Sequence, residues 1–287
     1  GYRPTVFEKN EKPGGMLTYG IPSYKLEKDV VEAEIDVIRE LGVEIKCGVE
    51  IGKDITLDEL RAQGYEAFYI AIGCQGSRKA GVSGEDAEGV MSAVDILHKI
   101  AENHELDLSG RKTVVIGGGN VAVDVARSSK RCGADIIGMY CLESREEMPA
   151  SDEEVFETED EGITINNGWG LKEILTDSGK VCGVILKKCT SVKDENGRFN
   201  PQYDDNDTMQ LECDDVYLSI GQSILWGDML KNEKVELGRG NGPVADKLTY
   251  QTAQEDIFVG GDVYTGPKFA IDAIAAGKEG AESIHRF

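Results

Sequence analysis

The chain has 287 residues, 40% of them apolar, which is enough for two domains with real cores. Its 53 acidic residues against 31 basic ones leave a net charge of −22, arguing against nucleic acid and anionic membrane surfaces as partners, since both require clustered lysines and arginines. No apolar run approaches the roughly 18 residues of a membrane span and no signal peptide is visible, so we expect a cytoplasmic protein.

Thr5-Val-Phe-Glu8 reads as a short strand ending in an acid, and Lys12-Pro-Gly-Gly-Met16 as a loop. Gly20-Ile-Pro-Ser23 is a turn, with Ser23 a helix-cap candidate. Val30, Val31, Ile35, Val37, Ile38 and Leu41 recur at helical spacing over 28–41, and Gly42 ends that helix. A strand over 43–47, a short helix over 57–63, a buried strand over 67–72 stopped by Gly73, and a helix over 92–101 follow.

The run 113–127, TVVIGGGNVAVDVAR, carries the most information. Val114 to Ile116 form a buried strand, Gly117, Gly118 and Gly119 a turn, and Val121, Ala122, Val125 and Ala126 a helix face. This is the phosphate-binding corner of a dinucleotide fold. Gly117 permits the tight turn, Gly119 lets the backbone approach a pyrophosphate, and Ala122 allows close helix–strand packing. The helix N-terminus offers free N–H groups and positive potential to the phosphates. Asn120 and Asp124, on its first turns, are the candidate polar contacts; helix capping and charge are their alternative roles.

The second strand of this unit is expected over 135–142 and a polar helix over 152–161. From 163 to 220 the pattern turns to strands, over 168–175, 181–189, 209–213 and 216–220. The runs 193–198 and 204–207 read as solvated loops between hairpins. A buried strand returns over 256–262, ending in Gly260-Gly261-Asp262 where ligands collect in parallel sheets. A last helix, over 269–284, opens at Phe269-Ala270-Ile271, and its N-terminus supplies partial positive charge suited to a phosphate or an electron-rich ring edge. The seven cysteines form no C-x-x-C pair, so neither a redox disulfide of that type nor a zinc or iron–sulfur motif is signalled, and no metal site is expected. His98, His104 and His285 are isolated, and no catalytic acid, base or nucleophile stands out.

Six runs together resemble the glutamate synthase small-subunit family of FAD- and NAD(P)H-dependent oxidoreductases: 14–22, 71–73, 117–124, 144–150, 220–222, and 260–262 through 276–277. They occur in family order across nearly the whole chain. The resemblance implies an α/β protein of two interleaved Rossmann-like domains, of the pyridine nucleotide-disulfide oxidoreductase type. An FAD domain comes from residues 1–104 and 243–287, and an NAD(P)H domain with added hairpins from 105–242. It also implies the site residues. On the FAD side Glu8 takes the adenosine ribose, Gly14, Gly15 and Leu17 the flavin side, and Val49 the adenine. Ala71 and Gly73 lie in the crossover strand, Gly261 and Asp262 hold the ribityl or pyrophosphate part, and Ala270 and Ile271 face the flavin. On the NAD(P)H side stand Gly117, Gly119, Asn120, Val121, Ala122, Asp124, Glu143, Ser144, Arg145, Gly221 and Gln222.

The family also has an N-terminal strand, a G-x-G-x-x-G corner and a cysteine-rich iron–sulfur domain, which these residues do not contain. The sequence therefore reads as a fragment of a longer flavoprotein whose FAD site is incomplete here. Family members that use NADPH commonly carry two arginines where this chain has Leu142 and Glu143. A carboxylate accepts hydrogen bonds from ribose hydroxyls and repels a 2′-phosphate, so NADH is favoured, with Arg145 nearby as a counterweight. The implied activity is hydride transfer from NAD(P)H to FAD and delivery of electrons to a partner subunit or iron–sulfur domain. A non-catalytic NAD(P)-binding module without flavin is the alternative. A thioredoxin-reductase type of disulfide reductase is disfavoured by the missing C-x-x-C.

Overall fold

The computed structural model describes residues 2–103 and 105–287; His104, one of the three isolated histidines, lies outside the described residues. The chain divides into two compact units. One holds the residues up to Thr18, Glu27–Gly76 and Gln222–Phe287, and the other Tyr19–Leu26 and Ser77–Gly221.

In the second unit five parallel strands run edge to edge in the order Val90–Ser92, Asp215–Leu218, Lys112–Ile116, Asp135–Cys141, Ile165–Asn167. The strand Lys112–Ile116 is central, and the chain order reverses on its two sides. That reversal opens a crevice at the strand C-termini. Alternation along the strand explains the layers. Val114 and Ile116 face a three-stranded antiparallel sheet (Trp169–Asp177, Lys180–Lys193, Phe199–Leu211), packing with Ile174, Val184 and Leu186. Val115 faces the other way, onto Ile96, Leu97, Ala122, Val123 and Ala126 of the helices Ala93–Glu102 and Asn120–Arg131.

In the first unit two parallel pairs form: Thr5–Glu8 with Glu44–Cys47, and Phe68–Ile70 with Ile257–Val259. Leu57, Leu60, Phe68, Ile70, Ile257 and Val259 are its core. The helix Leu57–Ala62 starts with a capping box between Thr56 and Glu59. Arg61 on that helix binds Asp58, Glu233 and Asp256 with its guanidinium, tying the helix to two distant segments.

The compact units divide at 76/77 and 221/222, and the expected cofactor domains at 104/105 and 242/243. The strand Val90–Ser92 pairs with Asp215–Leu218 and lies with 77–103 in the second unit. Two other expectations need correction. Residues 204–207 are not a loop but part of the strand Phe199–Leu211. The ladder slips there between Lys187, opposite Thr208, and Lys188, opposite Asp204, so the surplus residues bulge. Ser23 is not a helix cap, because Glu27 holds that place ahead of Lys28–Glu40. No helix among the described residues is long and apolar enough to cross a membrane.

Candidate functional site

The corner at Gly117–Gly119 lies at the crevice of the five-stranded sheet. Gly117 has φ +144°, and a Cβ there would stand 2.4 Å from the Ser219 carbonyl oxygen. Its N–H donates to Tyr140 O at 2.8 Å, while Ser219 N–H donates to Ile116 O at 2.7 Å. Three strand ends therefore close on one glycine. A Cβ at Gly118 would meet Cys141 Cβ at 2.9 Å and Glu143 Oε2 at 3.1 Å. Gly119 differs. It has φ −96°, caps the helix Asn120–Arg131 with no side chain, and has nothing nearer its Cβ position than Pro149 Cβ at 4.0 Å. The fold needs Gly117 and Gly118, but leaves room at Gly119. Open space at a helix N-terminus, beside a backbone that does not demand glycine, fits the approach of a phosphate.

Glu143, two residues past the strand Asp135–Cys141, has its carboxylate against Gly118. Its carbonyl accepts from Gly168 N–H and Asn167 Nδ2, both at 3.1 Å, which fixes the loop. Burial pushes the neighbouring Cys141 thiol up to about 12, and the Glu143 charge adds to the shift. Ser144 donates to Glu147 at 3.0 Å, and Arg145 pairs with Glu159 at 3.1 Å on the surface. Val121 is half-buried and Ala122 fully buried under the corner. Asn120 Oδ1 accepts from Ser151 N–H at 3.0 Å, so this residue fastens the helix start to the next segment. Asp124 is engaged by a cation of the same unit. Its carboxylate binds Lys25 Nζ at 2.5 Å, and Glu154 shares that ammonium. Burial raises the Asp124 carboxyl above its usual range, and Lys25 works against that shift. Gly221 has φ +115° and accepts from Arg78 N–H at 3.1 Å; Gln222 falls in the first unit. Sequence reasoning missed Ser219. Its buried hydroxyl has no hydrogen-bond partner among the described residues and stands at the end of the strand that abuts Gly117. The neighbouring Ile220-Gly-Gln222 run was the available signal.

In the first unit Glu8 O accepts from Val49 N–H at 3.0 Å, so these two expected residues meet. The Glu8 carboxylate accepts from Asn10 N–H at 2.8 Å. Gly14 and Gly15 take φ +113° and +53°, and Gly14 O accepts from Leu17 N–H at 3.0 Å, making one tight turn. Gly73, at φ +66°, follows Ala71 past the strand Phe68–Ile70. Gly260 N–H donates to Ile70 O at 3.1 Å, which brings the Gly-Gly-Asp turn beside that strand. Gly261 has φ +67°, and Asp262 Oδ1 accepts from Lys268 N–H at 3.2 Å. Burial raises the Asp262 carboxyl. The helix Ala270–Arg286 opens with Ala270 and Ile271 exposed, Ile271 at 69%. These residues offer a carboxylate, turns and a helix end, which suit the ribose and ring ends of a dinucleotide. Among the described residues, this unit shows no glycine corner of the Gly117–Gly119 kind for a pyrophosphate.

The profile of the family described as "Pyridine nucleotide-disulphide oxidoreductase" matches residues 2–277. The chain is 34% identical over 294 residues to the NADP(+)-dependent formate dehydrogenase subunit beta of Moorella thermoacetica, covering 100% of this chain and 41% of that protein. It is 31% identical over 301 residues to the glutamate synthase [NADPH] small chain of Escherichia coli K12, covering 99% of this chain and 63% of that one. It therefore spans about half the length of these relatives. The solved structure of Mycobacterium tuberculosis FprA in complex with NADPH superposes with a TM-score of 0.81 at 18% identity, covering 98% of this chain and 77% of that chain, and supports the fold.

Proposed function

We infer the function from one premise, that the chain belongs to the pyridine nucleotide-disulphide oxidoreductase family. It acts as an NAD(P)H-dependent flavin oxidoreductase module that takes hydride from NAD(P)H and passes electrons to a partner. The observation that carries this reading is the open backbone at Gly119 with the Glu143 carboxylate beside the same turn. The N–H groups that open Asn120–Arg131 bind the pyrophosphate, and Glu143 accepts from the adenosine ribose hydroxyls. Ser219, whose buried hydroxyl has no hydrogen-bond partner among the described residues, stands beside Gly117 at the same turn. On the flavin side Glu8 holds the ribose, Asp262 the ribityl part, and the N-terminus of Ala270–Arg286 favours negative charge on the ring. A flavin, when bound, supplies the hydride-accepting chemistry, so the protein needs to orient and to tune rather than to donate a proton.

NADH is favoured over NADPH. Glu143 stands where NADPH-using members commonly carry arginine, and Arg145 is engaged with Glu159. The partner is an electron-acceptor subunit or iron–sulfur domain, in keeping with the multi-subunit names of the relatives. The test is anaerobic addition of NADH to the chain mixed with FAD. Bleaching of the visible flavin absorption is expected. NADH binding without flavin binding or bleaching supports instead a nucleotide-binding module without flavin chemistry.

A further inference from the structure

The antiparallel sheet brings a cation to the Glu143 end of the corner. Gly168 donates to the Glu143 carbonyl at 3.1 Å, and the Gly168 carbonyl accepts from Cys189 N–H at 2.9 Å. These two bonds lock the strand Lys180–Lys193 to the loop after the strand Asp135–Cys141. Lys188 thereby lies over Gly168. Its Nζ is 3.1 Å from where a Cβ at Gly168 would stand and 4.9 Å from the Trp169 ring centroid. Neighbouring Lys187 is occupied, pairing with Asp205 at 3.5 Å and lying 4.1 Å from the Tyr203 ring centroid. Lys188 has no carboxylate within salt-bridge reach among the described residues. An ammonium held on an indole face retains N–H donors for a further partner.

We propose that Lys188 is a specificity-determining residue that lets this site accept a 2′-phosphorylated adenosine ribose. The proposal rests on the reading that the corner holds the adenosine end of a pyridine nucleotide. A phosphate on the ribose 2′-oxygen extends past the hydroxyls that Glu143 would accept from. Glu143 repels it, whereas Lys188 meets it as a point charge. The two side chains act in opposite directions, so the chain takes both nucleotides, NADH more tightly. Trp169 contributes by holding the lysine stem in place.

The test is calorimetric titration of the full 287-residue chain with NADH and with NADPH, which differ only in that phosphate. Lys188→Met keeps the stem on Trp169 and removes the charge. It is expected to weaken NADPH about tenfold, the size of one charge-assisted contact, and to leave NADH within about twofold. Lys188→Arg is expected to retain NADPH. Equal losses for both nucleotides in Lys188→Met, or an unchanged NADPH affinity, overturn the proposal while the corner reading stands. Absence of binding of either nucleotide to the wild-type chain overturns both.

Discussion

At the scale of single residues, the three corner glycines separate into two kinds. Gly117 serves the fold, through its φ of +144° and the Ser219 carbonyl 2.4 Å from its Cβ position. Gly117→Ala is expected to lower the free energy of unfolding by about 2–4 kcal/mol, from backbone strain and overpacking together. Calorimetric melting checks this, and an unchanged midpoint would remove the strain argument. Glu143→Arg is expected to reverse the nucleotide preference, because a fork of donors replaces a repelling carboxylate. Dissociation constants for NADH and NADPH with both proteins decide it, and a wild-type preference for NADPH refutes the role given to Glu143. Thiol reactivity follows burial. Burial pushes Cys141 and Cys213 up to about 12, while Cys182 is exposed. Cys182 should therefore react first with a thiol reagent at mildly alkaline pH, with peptide mapping as the readout.

At the scale of elements, the corner helix Asn120–Arg131 is held from outside as well as from the core. Asp124, Arg127, Ser128 and Arg131 share one face, at spacings of three and four. The segment Tyr19–Leu26 lies along it. Lys25 bridges Asp124 and Glu154, and the Tyr24 ring lies 4.9 Å from the Arg127 guanidinium and 4.1 Å from that of Arg131. Lys25→Met leaves Asp124 largely buried without its cation and is expected to cost about 2 kcal/mol of stability at neutral pH. Since burial sets the Asp124 carboxyl above its unfolded value, the folded state binds that proton more tightly. The penalty is therefore complete above the folded pKa and shrinks as pH falls toward the usual aspartate value near ~3.9. Urea unfolding of both proteins across that range tests the sign, and a loss that grows on acidification contradicts it. This element shows why part of the site was legible in sequence and part was not. The strand, turn and helix of 113–127 are local, so their periodicity could be read directly. Lys25 and Asp124 are far apart in sequence, and only the fold pairs them. Lys188 was hidden in the same way, inside a hairpin strand. The strand Val90–Ser92 is too short to leave an alternating pattern, so its place in the sheet was not legible.

At the scale of the whole molecule, the two units are unequally furnished as nucleotide sites. The second has a five-stranded sheet with a glycine corner on its central strand. The first has two parallel pairs, with ribose- and ring-end residues but no such corner among those described.

The most direct test of the corner as a pyridine-nucleotide site is the dissociation constant for NADH of the wild-type chain against Gly119→Val. The backbone at Gly119 is extended, and its Cβ position has nothing nearer than 4.0 Å. The fold should accept the substitution at a capping cost of about 1 kcal/mol, visible as a small shift in the melting midpoint. If the corner holds the pyrophosphate, the valine side chain stands in its place, and NADH binding is lost in a protein that remains folded. Undiminished NADH affinity in folded Gly119→Val would contradict the account.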